Sequence, residues 1–209
     1  MDKLIYRPLA KEDYPRIKKL IDEAFGFHEA IKDPHFLDLT LNIYLQDCIL
    51  SSSFSMVAEK SNEVIGIILG EAEKDKTHLR KAHNILSVAS TMIKLLLSSK
   101  KNKNALKEFS LITQTYKEIM EGKKDNFQGC VQLFIVSEES RGLGIGKSLV
   151  SKLSDYMKTM DVKSLYLYTD TRCNYGFYDS QNFNRIAEKE ICFDSNNEKL
   201  NIFLYSYNF

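Results

Sequence analysis

The chain has 209 residues and a mass of 24.1 kDa, a length for one domain carrying an insertion at the usual roughly 100–200 residues per domain. Apolar residues make up 44% and charged residues 27%, which excludes disorder, collagen and coiled coil as descriptions of the whole chain. Lys plus Arg is 29 and Asp plus Glu is 28, a net charge of +1, without the basic excess of a general nucleic-acid binder.

The elements follow in chain order from hydrophobic period. Residues 3–7, KLIYR, read as a short strand ahead of Pro8. Ile17, Leu20, Ile21, Ala24 and Phe25 recur on one face of a helix, with Asp13 as its N-cap, Pro15 in the first turn and Gly26 as its stop. A second helix is predicted from Asp33-Pro34 to about Leu50, with Leu37, Leu41, Tyr44, Leu45 and Cys48 inward. FSMVAEK and EVIGIILGEAE flank Ser61-Asn62 and read as a hairpin, in which Gly66 and Gly70 mark a bulge or a close backbone approach.

Residues 74–125 differ in composition. They hold twelve Lys/Arg against five Asp/Glu, a net of +7, so the rest of the chain is −6. Leu79, Ala82, Leu86, Ala89 and Ile93, then Leu106, Phe109, Ile112 and Tyr116, keep helical spacing on either side of a break at residues 98–104. The segment reads as a basic helical hairpin inserted between two strands of a single domain spanning 1–209.

GCVQLFIV then suits a buried central strand. Leu149, Val150, Leu153, Tyr156 and Met157 mark a helix, SLYLYTD a strand, TRCNYGFYDSQNF a helical turn, and residues 184–209 a closing hairpin. The sum is a mixed α/β chain with two hairpins and one strand–helix–strand crossover.

Cys48, Cys130, Cys173 and Cys192 form no C-x-x-C pair, which argues against a disulfide scaffold and a zinc site. His78 and His83 are five apart and miss the one-turn spacing of paired ligands, so no metal is expected. Residues 1–10 lack the roughly 7–15-residue apolar stretch of a signal peptide. Apolar runs such as Val64–Leu69 fall far short of the roughly 20 residues that span a bilayer. A soluble cytoplasmic protein with reduced thiols and no membrane partner is the expectation.

The most informative segment is Arg141-Gly142-Leu143-Gly144-Ile145-Gly146-Lys147-Ser148, between a buried strand and an amphipathic helix. Glycines let successive N–H groups converge, and a helix N-terminus adds free donors and partial positive charge. Together they make an anion site suited to phosphate or pyrophosphate. A P-loop needs a glycine where Arg141 stands, and the dinucleotide fingerprint needs its third glycine one residue later. The pattern present is R-x-x-G-x-G.

That motif resembles the acetyl-CoA-binding loop of the GNAT (GCN5-related) N-acetyltransferases. IYRPLAKEDYPRIKKLIDEAF resembles the family's first strand and helix, and LFIVSEESRG its fourth strand and loop. YTDTRCNYGFYDSQNF resembles its N-x-x-x-Y segment, with Asn182 in place of a glycine before Phe183. The resemblance covers all but the insertion. It implies a GNAT-type fold: a central mixed, mostly antiparallel sheet flanked by helices, here with the helical hairpin inserted.

The resemblance further implies that Arg141, Gly142, Gly144, Ile145 and Gly146 hold the pyrophosphate of acetyl-CoA, the co-substrate. Main-chain groups near Phe134, Ile135 and Val136 pair with its pantetheine arm, and Asn174 contacts the coenzyme. Tyr178 matches the family tyrosine that donates to the coenzyme A sulfur, which implies a catalytic role in protonating the departing thiolate. As residues, Tyr178 also fits a core ring and Asn174 a helix cap. The family's strand glutamate is matched by Gln132, which leaves Glu71 and Glu73 as proton acceptors or as solvated charges at a strand end.

Acceptor sites in the family lie beside the first helices, which points to Phe25, Phe27 and His28, with Glu71 nearby. The basic insertion reads as a solvated helical face, as a lid or wall selecting an anionic acceptor, as a contact in a homodimer, or as a nucleic-acid surface. The expected activity is acetyl transfer to the primary amine of a small molecule rather than of a peptide or protein. The alternatives are a non-catalytic acyl-CoA sensor and an interaction protein built on the insertion.

Overall fold

The elements, in chain order, are β1 (Leu4–Arg7), α1 (Tyr14–Phe25), α2 (Phe27–Ala30), α3 (Pro34–Leu50), β2 (Phe54–Lys60), β3 (Glu63–Ala72), α4 (Lys103–Met120), β4 (Gly129–Val136), α5 (Ile145–Thr159), β5 (Ser164–Asp170), α6 (Gly176–Ser180), β6 (Asn184–Cys192) and β7 (Lys199–Asn208). The computed structural model describes residues 3–77, 79, 88, 91, 103–193 and 197–209. The strands form a seven-stranded sheet in the order β1-β2-β3-β4-β5-β7-β6. All neighbours are antiparallel except β4 and β5, which are parallel and joined by the α5 crossover.

Alternation along the strands assigns each face its cover. Ile67, Leu69, Leu133 and Ile135 pack against Ile17, Leu20 and Ile21 of α1 and Leu45 and Ile49 of α3. Ile68, Leu165, Leu167 and Phe203 point the other way, onto Ile145, Leu149, Leu153 and Met157 of α5. The end of α4, with Ile119 and Met120, covers Tyr166, Leu200, Ile202 and Leu204. Each fully buried aliphatic side chain of this kind contributes roughly 1.5–3 kcal/mol.

Local signals are borne out in most places. Asp33 caps α3 by accepting from the His35 and Phe36 amides, and Gly26 ends α1 at φ 66°. Ser61 and Asn62 have φ of 54° and 63°, the paired left-handed geometry of a tight hairpin turn. Gly66 and Gly70 are sites of close approach: a Cβ on Gly70 would stand 2.5 Å from Leu153 Cδ1. Burial occupies much of the circumference of α3, including Phe36, Leu39, Thr40, Leu41, Leu45, Gln46, Cys48 and Ile49, as expected of a helix packed on more than one side.

The insertion is only partly seen. Of its first expected helix, only Leu79 among the five periodic residues is described, and it packs beside α1 and α3. Ala82, Leu86, Ala89 and Ile93 lie outside the described residues. Thr91 accepts a hydrogen bond from Asn42 of α3 at 3.0 Å. Lys103 and Asn104, placed by periodicity in the break, belong to α4. Among the described residues, no helix is long and apolar enough to cross a membrane.

Asp13 departs from its expected role. It stands at the N-cap of α1, but its side chain makes no cap hydrogen bond. Its oxygens accept from Arg7 Nη1 and Nη2 at 2.7 and 2.8 Å and from the Ala10 amide at 2.8 Å. Arg7 also donates from Nε to Glu59 at 2.7 Å, so one guanidinium ties β1, α1 and β2 together. Burial works to raise the Asp13 pKa, but Arg7 and the Ala10 amide outweigh it and hold the group below the usual carboxylate range. Such a group stabilises the fold above its unfolded pKa, about 3.9, and loses that contribution as pH falls through the folded value. Asp13→Asn should cost about 1.5–3 kcal/mol in urea denaturation at neutral pH. The gap between the variant and the parent should close when the same titration is run near pH 2–3.

Candidate active site

The sheet opens between its two parallel strands. β4 and β5 pair only at Gly129↔Leu165 and Cys130↔Tyr166, and beyond that point their facing edges separate. In β4 the register against β3 passes from Leu69↔Leu133 to Gly70↔Val131, so Gln132 is an extra residue, a bulge that re-aims the strand. The gap continues into a cavity of about 900 Å³. Its lining runs from the glycine loop along Val131–Val136 to residues of α1, α3, α4 and β5.

At one end, Gly142 and Gly144 adopt φ of 80° and 76°, a left-handed conformation that non-glycine residues rarely hold. A Cβ on either would meet nothing within 4 Å, so the loop presents bare backbone to open space. Gly144 is the N-cap of α5, whose first amides have no partner within the helix. Arg141 and Lys147 line this end of the cavity. Gly146 is packed tightly, its Cβ position 3.1 Å from the ring of Phe177 and 3.3 Å from that of Phe134.

Tyr178 also lines the cavity. Its ring packs among Phe134, Phe183 and Tyr205, with centroids 6.2, 5.5 and 5.6 Å away. Its hydroxyl has no hydrogen-bond partner among the described residues, and burial, with Cys173 and Tyr205 adding to it, raises its pKa well above the usual phenol range. The group is an O–H donor at any physiological pH, on a residue that lines the cavity. Asn174 also lines the cavity, and its carbonyl accepts from the Phe177 amide at 3.2 Å. The N-cap of α6 is Tyr175, so the Asn174 side chain is not that helix's cap. Asn182 has φ 61°, which explains why it can stand where a glycine is common.

The far half has aromatic walls. Phe25, Phe27 and Tyr44 pack on one another, and Phe27 stacks on Phe109 of α4 at 4.9 Å. Tyr116 of α4 stacks on Tyr168 of β5 at 4.2 Å and 10°, and Tyr168 donates to the Tyr116 carbonyl at 3.1 Å. The expected apolar face of α4 therefore forms a wall: Phe109, Ile112 and Tyr116 line the cavity, as does Thr113. Lys107 and Lys117 are exposed and do not line it.

Of the residues expected near the acceptor, Phe25 and Phe27 line the cavity, whereas His28 and Glu71 do not. His28 is exposed and lies 3.1 Å from Asp22. Glu71 accepts from Gln132 Nε2 at 3.2 Å. The carboxylates that do line the far half are Asp47 of α3 and Asp170 of β5, neither of which any sequence motif marks. Burial raises the pKa of both. Asp170 accepts from the Arg172 amide at 2.8 Å, and these neighbours together with Cys173 offset part of its shift. Among the described residues, no group of three or more His, Cys, Asp or Glu could hold a metal.

A bare-amide loop, an unpaired strand edge and a phenol donor in one cavity fit a long anionic ligand with an amide-bearing arm, the chemistry of acetyl-CoA. Comparisons with known proteins agree. A family model described as Acetyltransferase (GNAT) family matches residues 14–183. No curated protein sequence gives a significant match. Among solved structures, Arabidopsis thaliana NAA60 with a bisubstrate analogue is similar at TM-score 0.56 and 14% identity, covering 99% of this chain and 98% of that one. An N-acetyltransferase from Staphylococcus aureus Mu50 is similar at TM-score 0.57 and 13% identity, covering 99% and 98%. Ribosomal-protein-alanine N-acetyltransferase from Brucella melitensis is similar at TM-score 0.53 and 14% identity, covering 98% and 99%. With the family model spanning the loop, β4 and Tyr178, the chain belongs to the GNAT acetyltransferase family, as an acetyl-CoA-dependent N-acetyltransferase.

Proposed function

We propose that this enzyme acetylates the primary amine of a small molecule in the cytoplasm. The observation that carries the reading is the wall made by α4: Phe109 on Phe27 and Tyr116 on Tyr168 line the acceptor half of the cavity with aromatic rings. Such a walled pocket suits a compact acceptor better than an extended chain. The structural neighbours, at this level of identity, speak for the fold and leave the acceptor to be argued from the cavity. Four free cysteines fit a reducing compartment.

Acetyl-CoA, when bound, supplies a thioester carbonyl open to attack by a neutral amine. The amides of Gly142, Gly144, Ile145 and Gly146 receive the pyrophosphate, with Arg141 at the loop entrance. Main-chain groups of Phe134, Ile135 and Val136 take the arm's amides, and Asn174 adds a polar contact. Two protons must move. Tyr178 Oη gives one to the departing sulfur. Asp170 takes the other from the amine, in the role for which Gln132 is unfit. What supports Asp170 is its place across the gap from β4, and its raised pKa brings a carboxylate closer to that of an amine.

Three outcomes test this. Calorimetric titration should find micromolar acetyl-CoA binding, and Gly144→Glu should abolish it in a folded protein, because φ 76° opposes any side chain and the new carboxylate repels phosphate. Tyr178→Phe should lower kcat by about 10²-fold while leaving acetyl-CoA affinity within about twofold; unchanged turnover refutes its role. Asp170 must be ionised to accept a proton, so its upward shift should move the acid limb of kcat above the ordinary range near about 3.9. Asp170→Asn should remove that limb and slow turnover by about 10²-fold, read from kcat–pH profiles.

A further inference from the structure

We infer that the acceptor carries a second cationic group, separated from the reacting amine by an apolar spacer and held at Asp47. The inference rests on the acetyltransferase reading above and names the substrate class of the same cavity.

The charge of the cavity is divided between its ends. Its charged lining residues among those described are Asp47, Arg141, Lys147, Asp170 and Arg172. Arg141 and Lys147 belong to the glycine loop, where an anion is expected. Arg172 is already engaged: its Nε and Nη2 donate to Glu198 at 3.1 and 2.7 Å, and its guanidinium lies over the Phe193 ring at 5.2 Å. The far half is left with two carboxylates and no uncommitted described cation. A wall selecting an anionic acceptor, one reading of the basic insertion, has no described charge to act through.

The two carboxylates are not equivalent. Asp170 is next to the reaction, hydrogen-bonded with Cys173, which in turn lies close enough to Tyr178 to affect its pKa. Asp47 is on α3, adjacent in sequence to Cys48, whose thiol donates to the Gln132 carbonyl of the β4 bulge at 3.7 Å. Its carboxylate makes no hydrogen bond or ion pair with any described residue, whereas Asp170 and Arg172, the other charged groups of this half, both have partners. The Asp47 carboxylate is exposed and lines the cavity that the rings of Phe25 and Tyr44 also line, so it is open to an ammonium entering that half, and the partial burial that opposes its ionised form adds to what a cation there would gain. Those rings favour an ammonium over their faces and apolar carbon between the two charges.

Unbranched α,ω-diaminoalkanes and n-alkylamines of matching chain length separate the possibilities. With the full chain and saturating acetyl-CoA, the best diamine should exceed its monoamine partner in kcat/KM by about tenfold or more, as one charge-assisted contact allows. Asp47→Asn should bring that ratio close to unity, and Asp47→Glu should retain most of it. Calorimetry with coenzyme A bound should give the same ranking of affinities and the same loss in Asp47→Asn. Equal kcat/KM for the two series, a preference that survives Asp47→Asn, or monoamine binding as tight as diamine overturns the inference while leaving acetyl transfer intact. Folded protein that binds no acetyl-CoA overturns the reading beneath it.

Discussion

The structure depends on a limit to pairing. β4 and β5 share two residue pairs and then separate, although each is held firmly on its outer side, β4 by seven pairs with β3 and β5 by seven with β7. Backbone N–H and C=O groups that face a gap must find partners or bear a cost of about 1–3 kcal/mol each. The separated edges thus create a demand for hydrogen-bonding groups arrayed along a line. The proposed coenzyme arm, rich in amides, would meet it, with its anionic end on the glycine loop that follows β4.

Much of this was legible because it is written locally. The left-handed turns at Gly142 and Gly144, the hairpin at Ser61-Asn62 and the stop at Gly26 are properties of short segments. The substitution at Asn182 looked like a departure from the family pattern, yet its φ of 61° keeps the geometry that the pattern requires. Asp13 was misread for a complementary reason: its position is that of a cap, but the nearby guanidinium of Arg7 offers a carboxylate two charge-assisted bonds, and a charged partner outcompetes backbone amides.

The acceptor half was less legible because long-range packing creates it. Helical spacing marks Phe109, Ile112 and Tyr116 as one face but cannot say what the face meets. Asp47 and Asp170 are far apart in the chain and belong to no motif, so only the fold brings them to one cavity. Segment charge also misleads. The +7 of residues 74–125 is a property of the whole segment, whereas Lys107 and Lys117 turn outward and the described wall of the cavity is aromatic.

The strand order has a consequence for how the protein is made. β7 lies between β5 and β6, and β5 gains most of its partners, from Ser164↔Asn208 to Asp170↔Ile202, from it. One wall of the cavity is consequently secured by residues synthesised well after the glycine loop that forms the other end. Such non-local pairing slows folding. A nascent chain that has completed β4 and α5 already owns its anion cradle but not the opposing strand edge, so coenzyme retention becomes a natural marker that synthesis and folding have both reached β7.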